Sequence, residues 1–258
     1  MTIYQHFRTE ERPFVDQVLE WQEDVKHRYK ERLSDFLDPR QQEIVRMVIG
    51  NDDEISLSFL GGLEHAERKR ALLTPPYLET SEEDFQLALF SIDYPEKFVT
   101  LKHRDILGAM LNLGLKREKF GDIILADGMV QVMTTSDVAE YVELNVQKIG
   151  KATVKLNRIP LTEHIKPEED WEEGSATVSS MRLDVVLSQI YRLSRTKVSP
   201  YIDKGLVKVN WKVIDQPAFV VATGDYLSVR GYGRAYIIDT LGITKKDKIR
   251  LHYKKVRT

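Results

Sequence analysis

From Pro13 to Phe36 the apolar residues Phe14, Val18, Trp21, Val25, Tyr29 and Leu33 recur at spacings of three and four. That is the period of a helix with one buried stripe, so the pattern predicts an amphipathic helix opened by Pro13 and ended by Asp38-Pro39. Ile44, Val45 and Val48 mark a second helix that stops near Gly50-Asn51. The alternating stretch ISLSF (55–59) reads as a short strand before the Gly61-Gly62 turn, and LEHAERKRALL (63–73) as a further helix closed by Thr74-Pro75-Pro76. Residues 1–76 are therefore expected to form a small helix-rich domain.

Residues 77–165 change pattern. FQLALFSID (85–93) reads as a strand, and Ile106, Leu107, Met110 and Leu111 mark a helix ended by Gly114. GDIILAD (121–127) and MVQVMTT (129–135) flank Asp127-Gly128, a strong hairpin signal. Ser136 caps a helix carrying Val138, Val142 and Ile149, and ATVKLNRI (152–159) supplies the last strand. The order strand, helix, strand, strand, helix, strand is that of an RRM-like (ferredoxin-like) domain. An RNA-binding version stacks bases on aromatic residues of its two central strands. Met129–Thr135 has none, and Phe90 faces either outward or, as its setting favours, into the core. This domain is left with loop charges such as Lys116, Arg117 and Lys119 for any RNA contact.

KPEEDWEEGS (166–175) opens an acidic linker over 166–180. Beyond it, on a helical wheel started at Arg182, Leu183, Val186, Leu187 and Ile190 fall on one arc, with Asp184 opposite as a surface residue. Ser194 is a suitable N-cap for a second helix bearing Val198, Tyr201 and Ile202, with Lys197 and Lys204 on its far side. Gly205 stops that helix, and LVKVN, DYLSVRG, RAYIID and IRLHYKK build a sheet within 181–258. The whole is a multi-domain α+β chain.

Charge changes this picture more than composition does. The 258 residues carry a net charge of only -2, yet residues 181–258 hold 16 of the 38 basic and 6 of the 40 acidic side chains. Such a concentrated positive end has two explanations: phosphate as partner, or an intramolecular contact with the acidic remainder. There is no cysteine, hence no disulfide framework or thiolate metal site, and the six histidines are scattered without ligand spacing. No apolar run is long enough to span a membrane, and the N-terminus lacks a secretory signal pattern, so the expectation is a cytoplasmic protein.

The succession RLD (182–184), SR (194–195), KGLVKVN (204–210) and GDYLSVRGYGR (224–234) resembles the S4 (αL-type) RNA-binding domain. FLDPR (36–40), FLGGLEHAERKRALLTP (59–75) and LGLKREKFGDI (113–123) extend the likeness over nearly the whole chain, which resembles the YlmH family of bacterial S4 proteins. This resemblance implies a ribosome-associated RNA binder of the large subunit, acting on rRNA and tRNA in rescue or quality control of stalled peptidyl-tRNA complexes. From the residues themselves the expectation is a monomer with no cofactor, metal, membrane or catalytic residue. RNA-binding residues would be Arg182, Ser194, Arg195, Lys197, Lys204, Lys208, Asn210, Trp211, Lys212, Arg230 and Arg234. The basic cluster Arg68, Lys69 and Arg70, with Lys116 and Arg117, is either a secondary RNA contact or, for the cluster at 67–70, a salt-bridged helix face.

Two positions depart from the family pattern. Asn210-Trp211 stands where Asn-Gly is usual, and a bulky residue with positive φ costs about 1–2 kcal/mol unless the turn is of another type. Trp211 is then either a stacking platform for a base or a lid over the small core. Pro200 removes an N–H from the proposed second helix and should kink it or make its first turn irregular. S4 domains also accompany pseudouridine synthases, methyltransferases and tyrosyl-tRNA synthetases. The RLD triplet here lies inside the binding module rather than in a separate catalytic domain, and neither a Gly-rich cofactor loop nor nucleotide-binding signatures are seen. An RNA-modifying enzyme centred in the first two domains, or a cell-division adaptor, are the alternatives.

Overall fold

The computed structural model of the protein describes residues 3–63, 66–166, 171–244 and 247–256. Glu64 and His65 of the predicted third helix, and residues 167–170 of the predicted linker, lie outside them. The chain divides into two compact units, Met1–Glu168 and Glu169–Thr258.

In the first unit, helix α1 (Arg12–Arg28) precedes strand β1 (Arg32–Leu37), helix α2 (Pro39–Ile49), β2 (Ser56–Leu60) and β3 (Lys69–Thr74). The three strands form an antiparallel sheet in the order β1-β3-β2. Against it α1 and α2 bury Val15, Val18, Val25, Ile44, Val45 and Ile49. Two predicted helical stretches are corrected. The first helix ends at Arg28 because Tyr29 turns left-handed (φ 53°) and donates its N–H to the Asp24 carbonyl. The buried Asp24 carboxylate then gathers Arg28 and Arg32, so the chain reverses and Leu33 enters a strand opposite Leu72. Hydrogen bonding from Arg32 holds Asp24 below the usual carboxylate range. Lys69–Thr74 is a strand too. Its buried Arg70 bonds the carbonyls of Ser34, Phe85 and Gln86, a set of tertiary contacts that local pattern does not encode.

The unit continues through β4 (Leu87–Asp93), α3 (His103–Leu111), β5 (Phe120–Ala126), β6 (Met129–Thr135), α4 (Ser136–Asn145), the small pair β7 (Lys148–Ile149) and β8 (Ala152–Thr153), and β9 (Lys155–Ile159). The four long strands form an antiparallel sheet ordered β5-β6-β4-β9. Asp127-Gly128 turns the β5–β6 hairpin with φ of 49° and 79°, the geometry for which Asp-Gly is favoured. Ile149 lies in β7, not in α4, because the helix ends at Val146, whose N–H bonds the Val142 carbonyl. Phe90 is fully buried among the residues that pack under α3 and α4.

The alternate residues of this sheet explain why it offers no aromatic platform for bases. Leu87, Leu89 and Met133 face away from α3 and α4 and join Phe36, Leu72 and Phe85 in a second core. A side chain at Gly121 would come within 2.8 Å of the Phe36 ring, so the glycine lets the two sheets approach. Polar links seal the joint: Asp122 accepts the backbone N–H of Glu67 and of Arg68, and Lys119 bridges Asp35 and Asp137 at 2.8 Å each.

The second unit is a six-stranded antiparallel sheet in the order β10-β15-β14-β13-β11-β12, with two helices on one face. In chain order these are β10 (Trp171–Val178), α5 (Leu183–Ile190), α6 (Arg195–Asp203), β11 (Val207–Val209), β12 (Lys212–Val213), β13 (Tyr226–Val229), β14 (Gly233–Ile243) and β15 (Ile249–Val256). The predicted linker is corrected here, since eight of its residues are a strand in full register with β15. Glu172 and Glu173 pair there with Lys255 and His252, which assigns part of the basic tail to intramolecular partners.

Candidate nucleic-acid interface

Arg182 precedes α5 and Arg195 opens α6. Between them sits Asp184, only 3% exposed and not the surface residue a helical wheel implies. The wheel fails because a loop covers this end of α5: the N–H groups of Leu183 and Asp184 donate to the carbonyls of Phe219 and Pro217. Arg182 donates to Asp184 through Nε at 3.1 Å and Nη2 at 3.2 Å, and Arg195 through Nε at 3.2 Å and through Nη2. Burial pushes the Asp184 carboxyl upward, but the two guanidinium groups outweigh it and hold the group below its ordinary value.

The consequence is a fixed pair of cations. One carboxylate neutralises one of two guanidinium charges, and an arginine carries five donors in a rigid fork. The side chains of Arg182 and Arg195 remain 41% and 57% exposed, so donors beyond those spent on Asp184 face solvent. Lys197 is exposed on α6, whose Val198 and Ile202 are buried, and Lys204 is exposed at its C-cap. Pro200 is accommodated inside α6, which runs on to Asp203. Ser194 occupies the cap position with extended backbone, but its hydroxyl pairs with that of Thr196 and caps no backbone N–H.

The remaining residues do not all join this surface. Val207 and Val209 enter the core under the helices, so Lys208 between them points from the opposite face of the sheet. Registers Lys208↔Ser228 and Ser228↔Arg234 put Lys208 and Arg234 in one cross-strand row there. Lys212 lies on the edge strand, and Arg230 is exposed in the turn after β13. Asn210 closes the β11–β12 hairpin. Its side chain accepts from the Tyr226 N–H and donates to Asp225. Asn210 and Trp211 both have positive φ, 48° and 63°, so the turn keeps the geometry that glycine would favour. Trp211 is no lid on the core under the helices; it stacks on Tyr226 on the other face, with centroids 5.0 Å apart and planes 13° apart.

The second cluster is largely spent inside the first unit. Arg68 bonds the Phe36 carbonyl, Arg70 the three carbonyls named above, and Arg117 those of Phe120 and Gly121. Burial pulls Arg117 down to about 10. Lys69 is half-buried in β3, and Lys116 is exposed. Asp122, a buried carboxylate pushed upward by burial, is held by two backbone donors at the joint, as a structural group is. Sequence reasoning missed Asp184 as an anchor and also Trp171, Tyr226, Tyr236 and Lys254. The alternation of Tyr226 with Leu227 and of Tyr236 with Ile237 was the available signal for the latter group.

Comparison with known proteins agrees along the length of the chain. Residues 10–78 match the family model described as YlmH, N-terminal, residues 80–163 the putative RNA-binding domain in YlmH, and residues 181–226 the S4 domain. The chain is 47% identical over 253 residues to the ribosome-associated protein quality control protein P2 of Bacillus subtilis (strain 168), covering 98% of both. It is also similar to a solved structure of the cell division protein ylmH from Streptococcus pneumoniae, at 34% identity and a TM-score of 0.55, over 64% of this chain and all of that one. The chain belongs to the YlmH family of S4-domain proteins.

Proposed function

We propose that this protein binds structured RNA on the ribosome through the helix face of its second unit, without catalysis, and serves quality control of stalled peptidyl-tRNA complexes on the large subunit. The observation that carries this reading is the Asp184 anchor, which holds Arg182 and Arg195 together, with Lys197 exposed on α6 and Lys204 exposed just past its C-terminal end. Cations so placed neutralise phosphates and release counterions, giving salt-dependent affinity. Specificity then follows from RNA shape and 2′-hydroxyl placement. The name of the Bacillus relative supports the ribosomal setting; on this reading the RNAs are rRNA and tRNA, met in the cytoplasm by a monomeric protein. No described helix is long and apolar enough to cross a membrane.

The middle domain, an RRM-like fold by its strand order, serves on this reading as a structural partner of the N-terminal domain, because its helix-free face is covered. The name of the streptococcal relative favours the adaptor alternative, a protein partner in cell division. Ultraviolet crosslinking of the full chain to ribosomes, followed by peptide mapping, separates the two. RNA adducts should include residues within 182–204. Adducts confined to residues 3–166, or a partner retained after nuclease treatment without any RNA adduct, would overturn the assignment.

A further inference from the structure

The face of the second unit's sheet that carries no helix has a composition its fold does not require. Trp171, Tyr226 and Tyr236 lie there with Trp211, all half-buried. Gly174 fixes the side: a Cβ on it would come within 2.9 Å of the Tyr253 ring, which belongs to the core, so Trp171 and Glu173 point the other way. Tyr226 is the hub, stacked under Trp211, edge-on to Trp171 at 5.9 Å and 6.1 Å from Tyr236. Lys254 Nζ sits 4.7 Å from the Trp171 ring centre and 5.4 Å from that of Tyr236. Lys208 and Arg234 form the next row of the same face.

Among the described residues, two acids near these rings are engaged. Asp225 accepts from Asn210 and from the Ala222 N–H, and Glu173 meets His252. Trp211 supplies an independent argument. A bulky residue held at φ 63° is strained where glycine would not be, and the surrounding structure maintains it there. Such strain clusters at functional sites.

We propose that this face is a second RNA site, separate from the arginine face, which takes unpaired bases of single-stranded RNA on its aromatic rings and their phosphates on Lys254, Lys208 and Arg234. Aromatic rings interleaved with cations suit single strands, because every base has a stacking face and every nucleotide a phosphate. Duplex RNA, with its bases stacked internally, offers this surface only phosphates. The site does not depend on ribosome association or on the helix face.

The test is fluorescence anisotropy of a labelled oligouridylate with the full chain at low salt. Trp211→Gly restores the Asn-Gly pair favoured at this turn, so it removes the ring while relaxing the backbone. We expect it to weaken binding about tenfold or more, as does Tyr236→Ala, while Arg195→Glu changes binding less than about twofold. In a Trp21→Phe background the oligonucleotide should also quench the remaining tryptophan emission, a reading that needs no change to the site. Absence of wild-type binding, absence of quenching, unchanged affinity in Trp211→Gly, or a loss that follows Arg195→Glu instead would each overturn the proposal.

Discussion

The middle sheet of the first unit and the sheet of the second each carry two helices on one face, and they differ in what the other face meets. In the first, Leu87, Leu89 and Met133 are sealed against Phe36, Leu72 and Phe85. In the second, Trp171, Tyr226 and Tyr236 share the corresponding face with lysines. Similar architecture thus gives a structural joint in one case and a half-exposed aromatic surface in the other. What decides is the chemistry of every second residue along the strands, apolar where another sheet packs and aromatic with cations where, among the described residues of the unit, none does.

The strongest way to break this comparison is at the joint. Phe36→Ala removes a fully buried ring and should cost about 3–5 kcal/mol in chemical denaturation of the full chain. A loss under about 1 kcal/mol would mean that the middle sheet's face is not held by packing.

Asp184→Ala comes next, with about 1–3 kcal/mol expected from loss of a buried acceptor and its bonds. Its pH dependence sharpens the contrast between the units. The folded pKa of Asp184 is depressed, so its stabilisation is present above the unfolded value of about 4 and is lost as pH falls through the folded value. Melting curves of wild type and Asp184→Ala should therefore converge on acidification. Asp122 is shifted upward by burial and acts in the opposite sense: it lowers stability at neutral pH, and acid relieves the cost as its carboxyl takes up a proton. Asp122→Asn should flatten that contribution in the same melts.

The smallest effect concerns single phosphate contacts. Lys204→Ala should reduce the slope of log affinity against log salt for ribosomal RNA by roughly one, whereas Lys116→Ala in the first unit should leave it unchanged. Equal slopes for the two variants would erase the distinction between the units.

Much of the fold was legible where local signals were unopposed. Asp127-Gly128 marked its hairpin, and the order of the four long strands and two helices over 87–159 followed from period with turn and cap signals, though the small β7–β8 pair did not. The errors arose where tertiary partners overruled period. Arg70 reads as a helical surface charge, yet it is a buried strand residue because three carbonyls from other segments await it. Residues 171–178 look like acidic linker, yet β15 supplies both a backbone ladder and basic partners. At the candidate site, the cations of α6 were visible from spacing. The burial of Asp184 was not, because the loop that covers it comes from residues 217–220, more than thirty positions on. The RNA-binding residues named from the resemblance do not share one face: Lys208 and Arg234 lie across the sheet from Arg182 and Arg195.

If the anchored arginine pair holds the protein on RNA, its loss must release the chain from the ribosome. Co-sedimentation of the full chain with purified large ribosomal subunits, run across a salt series for wild type and Arg195→Glu, tests this most directly. Wild type is expected to sediment with the subunits at low salt and to be released steeply as salt rises, and Arg195→Glu to fail to sediment at any salt. Sedimentation of Arg195→Glu equal to wild type, with the same salt profile, would contradict it.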